Sequence, residues 1–221
     1  MICMKISVLQ PKIIWGDIDF NTKAIQGLID KSRGELLVLP EYALTGSLIF
    51  DATININEWI SKSRIAKSKL KIRDGKQLLI NSVIEIDNKI HNACELLPTG
   101  GYQHKLFPDK PEIEAGINPG DKQTIFLLRD KSFKVVICSD LRNIERISTA
   151  GLDFLLFIFH FSDYNFERAL NDVKKISLER NIPIIISSLV SDKNVGWSSY
   201  VDNNTVISLP GDEGILEIEI N

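Results

Sequence analysis

The chain has 221 residues, of which 44% are hydrophobic and 25% charged, enough length for one sizeable core and an ordinary globular balance. A formal net charge of -3 gives no basic footprint for nucleic acid or for an anionic membrane. Cys3, Cys94 and Cys138 are far apart, form no C-x-x-C pair and stand beside only three histidines, which argues against a zinc site and fits a reducing cytoplasm.

No charged leader or cleavage site opens the sequence. Its most apolar stretch, residues 152–161, is broken by Asp153 and His160 and is about half the length of a helical membrane span. Residues 5–10 read as a buried strand. Asp17 or Asp19 caps a helix to about Ser32, with Gly34 as its stop. Residues 35–40 form a short apolar strand, and 56–70 a helix whose inner face takes Trp59, Ile60, Ile65 and Leu70. Strands over 78–86 and 89–97 meet at Asp87-Asn88, a tight hairpin turn. Strands over 124–128 and 133–137 flank a turn at 129–132. A short helix over 143–150, a doubly buried strand over 152–159 and a helix over 166–180 follow. A strand over 182–187 and a terminal meander (199–201, 205–208, 214–220) end the chain. Hairpins interleaved with helices predict a layered α/β sandwich of mixed sheets. No Pro-, Gly- or Ser-rich linker divides it, so residues 1–221 read as one domain.

Cys138 closes the apolar run Phe133-Lys-Val-Val-Ile137 and opens Ser139-Asp-Leu-Arg142. A thiol where a buried strand turns toward a helix meets free backbone N–H groups and a field that favours a thiolate. A small buried hydrophobe would suit the same place. Glu41 follows directly on the apolar strand in Leu39-Pro-Glu41; partial desolvation there favours its protonated form and readies it for proton transfer. An exposed Pro-Glu turn is the plain alternative. Lys105 lies in His104-Lys-Leu-Phe-Pro108. An ammonium there would lower a thiol's pKa and stabilise an oxyanion, or be simply solvated. Glu112 and Glu114 lie just beyond, and either could orient Lys105.

Taken in order and spacing, Glu41, Lys105 and Cys138 resemble the Glu-Lys-Cys triad of the nitrilase superfamily of carbon–nitrogen hydrolases. The resemblance extends to Gln10, Gly16-Asp17, Asn21, Asn92, Pro119-Gly-Asp121, Glu179-Arg-Asn181, Gly196-Trp-Ser198 and residues 201–207, nearly the whole chain. It implies a four-layer αββα sandwich with two mixed β-sheets and the triad at one end. Glu41 would act as general base, Cys138 as nucleophile on an amide carbonyl, and Lys105 with the Ser139 backbone N–H as oxyanion donors. No metal and no organic cofactor would be needed. It further implies a homodimer formed through residues 143–150 and 166–180.

The chain departs from that pattern where substrates are chosen. Asn143-Ile-Glu145 replaces an aromatic-Pro-Glu run, and Lys175-Ile176 replaces Arg-Ala. His160-Phe-Ser-Asp-Tyr164 replaces a Pro- or Asn-containing loop, so His160 either faces the substrate or is structural. The chain is also shorter than many members, which bears on the pocket walls. Arg142 offers a fork to a substrate carboxylate, or a salt bridge to Asp140 or Glu145. The expected activity is hydrolysis of a small linear amide with release of ammonia, of omega-amidase type. The alternatives are an N-carbamoyl amine hydrolase and a non-catalytic scaffold. A true nitrilase and a lipoprotein acyltransferase fit less well.

Overall fold

The computed structural model describes residues 3–47, 55–160, 166–203 and 205–220. Two six-stranded sheets run in the orders β12-β1-β2-β3-β4-β5 and β11-β10-β9-β8-β7-β6. The first holds β1 (Met4–Gln10), β2 (Leu36–Val38), β3 (Gln77–Ile86), β4 (Lys89–Leu97), β5 (Tyr102–His104) and β12 (Gly214–Ile220). The second holds β6 (Phe126–Leu128), β7 (Lys131–Ile137), β8 (Phe154–Ile158), β9 (Ile184–Ser187), β10 (Gly196–Asp202) and β11 (Thr205–Gly211). Both are mixed: β1, β2 and β3 run parallel in one, as do β7, β8 and β9 in the other, and antiparallel strands flank each set.

Side-chain alternation builds the layers. Ile6 and Val8 of β1 join Val38, Val135, Ile137 and Ile158 in the core between the sheets. Leu9, one residue off that period, packs outward with Ile25 and Ile29 of helix α1 (Ile18–Lys31). On the far side Val173 and Ile176 of α4 (Phe166–Arg180) cover Phe157, Ile184 and Val201. Helix, sheet, sheet, helix is therefore the expected αββα sandwich. Asp17 caps α1 by accepting from the Phe20 N–H at 2.9 Å. Asp87 and Asn88 both adopt left-handed φ (51° and 60°), the turn that matches hairpin twist and that Asp and Asn tolerate best.

Three expectations give way. Residues 143–150 do not form a helix: a 3-10 turn starts earlier, over Cys138–Arg146, and is kinked at Asn143 (φ -121°). The terminal strands are no simple meander, because β12 leaves the second sheet and pairs with β1 along its whole length. In α2 (Ile56–Lys69), Ser63 and Ala66 face inward with Leu70, whereas Ile65 is 51% exposed. One residue is a 100° step around a helix, so Ile65 cannot share the stripe set by Ala66. The neighbours of His160 at 161–164 lie outside the described residues. No helix among the described residues is long and apolar enough to cross a membrane.

Candidate active site

Glu41 follows β2 of one sheet, while Cys138 follows β7 and His160 lies just beyond β8, parallel neighbours in the other, so the carboxyl ends of strands from both sheets meet at one rim. Cys138 takes a left-handed φ of 46° directly after the extended Ile137, a strained elbow for a residue with a side chain. The thiol, the Glu41 carboxylate and a His160 ring nitrogen lie within 4.8 Å of one another. The turn after Glu41 is tight: Tyr42 has φ 54°, and its carbonyl accepts from the Thr45 and Gly46 N–H groups. At Gly46 (φ 70°) a Cβ would stand 2.7 Å from the Trp15 ring, so only glycine fits.

Lys105 comes in from the loop after β5. It is 2% exposed, with Nζ 3.0 Å from Glu41 Oε1 and 2.8 Å from Glu112 Oε2. Of the two acids left open by the sequence, Glu112 is therefore the one in the cluster. It sits in the first turn of α3 (Lys110–Glu114), where Oε2 also accepts from the Asp109 N–H at 2.8 Å. Glu114 points to solvent, 65% exposed, and reaches Lys110 at 3.6 Å. The structure separates it from the site because two residues along a helix face opposite ways.

Asn92 of β4 ties the acids together. Its Nδ2 lies 2.9 Å from Glu41 Oε1, Glu112 Oε1 and the Tyr42 hydroxyl, and its Oδ1 accepts from Asn81. The Tyr42 hydroxyl donates to Glu112 Oε1 at 2.8 Å. Sequence reasoning marked Asn92 only as part of the resemblance and missed Tyr42 and Asn81. Polar residues facing inward on strands are the signal that could have found the two asparagines.

The electrostatics revise two expectations. Burial pushes the Cys138 thiol well above its ordinary value, and the Glu41 charge pushes the same way; Lys105 opposes them and loses. The resting group is thus a thiol, not the thiolate anticipated from the strand end. Burial also pushes Glu41 up, but the Lys105 and His160 charges outweigh it and hold the carboxyl below its usual range. It rests ionised, not protonated. Lys105 is drawn down by burial and raised by the Glu41 and Glu112 carboxylates, which together prevail, so it stays an ammonium. A buried acceptor for a proton thus stands beside a partly exposed donor, with a fixed cation in the same cluster.

Asp140 is the remaining piece that the sequence did not single out. It accepts from the Phe107 N–H at 2.7 Å, the Leu106 N–H at 3.2 Å and the Ile137 N–H at 3.4 Å, binding the elbow to the loop that carries Lys105. The Ser139 hydroxyl donates to the Phe107 carbonyl at 2.8 Å in the same seam. Burial raises the Asp140 carboxyl to about 6, against the pull of those N–H groups. The folded protein then holds a proton that the unfolded chain has lost between its ordinary pKa and 6, so stability falls as pH rises through that window. Relative to Asp140→Asn, wild type should lose up to about 3 kcal/mol between pH 4 and 7. Urea denaturation at both pH values checks this, and a constant difference would contradict it.

Cys138, Ser139, Arg142, Phe159, His160 and residues of α4 line a cavity of about 660 Å³. Arg142 is 74% exposed at its edge and pairs with Asp109 at 2.7 Å, not with Asp140 or Glu145. Arg168, Asp172, Lys175 and Glu179 of α4 give the cavity charges of both signs. The Tyr42 and His160 rings lie 6.1 Å apart on its inner side. Outside the cluster, Gln10 at the carboxyl end of β1 joins the two sheets by donating to the Leu209 and Asp212 carbonyls. Asn21 likewise ties α1 to the turn after Glu41 through the Leu44 carbonyl. These landmarks of the resemblance are scaffolding.

No protein-family model matches the sequence, and no curated protein matches it either. Solved structures do. The glutamine-dependent NAD+ synthetase of Acinetobacter baumannii superposes with a TM-score of 0.83 at 17% identity, over 99% of this chain and 45% of that one. The chain therefore spans less than half of that synthetase. A CN-hydrolase superfamily protein from Xanthomonas campestris, solved with an arsenic adduct in its active site, gives 0.78 at 17% identity over 100% and 91%. A mutant amidase from Nesterenkonia sp. bound to acrylamide gives 0.82 at 14% identity over 99% and 90%. The chain has the fold of the nitrilase superfamily of carbon–nitrogen hydrolases.

Proposed function

We propose that the protein is a nitrilase-superfamily amidase that hydrolyses a small linear amide through a thioester on Cys138. The observation that carries this reading is the grouping of Cys138 with the buried Glu41 and Lys105, the thiol within 4.8 Å of a carboxylate oxygen and the ammonium 3.0 Å from Oε1. The thiol sulfur attacks the amide carbonyl while its proton passes to Glu41, whose ionised state suits it as base. The carbonyl electron pair moves onto oxygen, where Lys105 and the Ser139 backbone N–H receive it. Collapse breaks the C–N bond, and Glu41 returns the proton to the departing ammonia. Water, deprotonated by Glu41, then cleaves the thioester and restores the thiol. Glu112 holds the ammonium in place throughout.

Around the cavity Arg142, Arg168 and Lys175 outnumber Asp172 and Glu179, an excess of cations that favours an amide with a distal carboxylate, in keeping with an omega-amidase. An N-carbamoyl amine would use the same groups. A nucleophile of this kind works only while reduced, which suits a cytoplasmic enzyme. We place a homodimer contact on residues 143–150 and α4, where Leu178 is 57% exposed. The test is ammonia release from a panel of aliphatic amides with and without a distal carboxylate, glutamine and N-carbamoyl amines. Wild type should turn over the carboxylate-bearing amides fastest, with Cys138→Ala at background. Equal background signals from both proteins across the panel would favour a non-catalytic scaffold.

A further inference from the structure

The thiol, carboxylate and imidazole at the rim also form a donor set of another kind. Sγ of Cys138, a Glu41 oxygen and a His160 ring nitrogen lie within 4.8 Å of one another. Sulfur, oxygen and nitrogen donors together suit Zn²⁺ and its thiophilic relatives, whose tetrahedral ligands stand about 3.5 Å apart at bond lengths of about 2.0–2.3 Å. Small side-chain rotations bring this trio to that spacing. We propose that Cys138, Glu41 and His160 form a binding site for a thiophilic divalent cation, which reversibly masks the nucleophile.

The unsatisfied atoms point to such a ligand. Glu41 is fully buried, yet its Oε2 has no hydrogen-bond partner, and neither has His160 Nδ1. The two atoms are 2.6 Å apart without the alignment of a hydrogen bond. An ion-pair contact without that alignment leaves a lone pair open on each atom, and a cation between the two would satisfy both. The second Glu41 oxygen is already fixed by Asn92 at 2.9 Å and Lys105 at 3.0 Å, so the ligand is oriented before any metal arrives.

Charge and access agree. With His160 neutral, as a ligating imidazole must be, the Glu41 and Glu112 carboxylates against the Lys105 ammonium leave one net negative charge beside the donors. Binding a dication with loss of the thiol proton brings that cluster to neutrality. The step forms a metal–sulfur bond, releases the S–H proton to solvent and changes no oxidation state. Cys138 and His160 both line the 660 Å³ cavity, which supplies the route in and a water for the fourth position. Lys105 repels the incoming ion, but Glu112 holds that ammonium at 2.8 Å and screens it.

The proposal rests on the reading of Cys138 as an accessible thiol, but its test needs no substrate. The full chain carrying Cys3→Ser, which removes the other partly exposed thiol, is titrated with Cd²⁺ while the ultraviolet thiolate-to-cadmium charge-transfer band is followed. One band per chain should appear, with one proton released, and Zn²⁺ should displace it. Adding His160→Ala should weaken Cd²⁺ binding roughly 10- to 100-fold, and adding Cys138→Ala should remove the band. Circular dichroism checks that both variants fold, and His160→Gln serves if the alanine variant does not. Unchanged affinity without His160, or a band that survives Cys138→Ala, would overturn the proposal. A His160-dependent band with no turnover of any amide would retain the metal site and remove the hydrolase reading. Turnover without such a band would do the reverse.

Discussion

Glu41→Gln should fold, keep its thiol open to alkylation and lose turnover by about 10³-fold, within the range for general acid–base catalysis. The glutamine oxygen can still accept from Asn92 and Lys105, which meet Glu41 Oε1 at 2.9 and 3.0 Å in the wild type. It cannot take the thiol proton or return it to ammonia. The substitution should also ease ionisation of Cys138, because the Glu41 charge is the second cause, after burial, of its raised pKa. Alkylation by a haloacetamide should therefore extend to lower pH in the variant while ammonia release collapses. Parallel pH profiles of the two rates check this. Normal turnover in Glu41→Gln would remove it as the base.

Lys105→Met should be the most damaging single change to the site. The ammonium is 2% exposed and neutralises two carboxylates that are themselves buried, Glu41 and Glu112. Removing one member of such a group leaves uncompensated buried charge, a loss of about 3–5 kcal/mol. Activity should vanish as well, since the oxyanion loses its cation. Combining the change with Glu112→Gln should recover part of the stability and none of the activity. Denaturant midpoints set against ammonia release separate the two effects. Equal stability of Lys105→Met and wild type would mean that the buried pairing contributes nothing.

Much of the layout was legible because it is local. Asp17 caps α1, Asp87-Asn88 turns the hairpin, and the 166–180 periodicity matches α4 as observed. Glu41 and Cys138 stood out because each follows an apolar strand with a chemically active side chain, and Lys105 through its place in the resemblance. What stayed hidden depends on partners distant in sequence. Asp140 lies beside Cys138 in the chain, but its role is to accept N–H groups from 106 and 107. Asn92 matters through Glu41, 51 residues away. Glu112 differs from Glu114 only by the helical turn that buries one and exposes the other. The crossing of β12 to the other sheet is a register choice against β1, and no periodicity within residues 214–220 announces it. The expected thiolate failed for a related reason: the sequence shows the strand end but not the carboxylate facing the sulfur.

The pocket is where fold likeness gives least guidance. Arg142 turned out to be held by Asp109, so a substrate carboxylate would share its guanidinium or turn to Arg168 and Lys175. His160 beside Glu41 sets this chain apart from the loop pattern that the resemblance led us to expect.

The chemistry stands on a covalent intermediate at Cys138. Wild-type protein mixed with a turning-over amide, quenched in acid and mapped by peptide mass spectrometry should carry one acyl group, on the peptide containing Cys138, and lose it as substrate is exhausted. Turnover with no adduct, or with the adduct on Cys3 or Cys94, would contradict it.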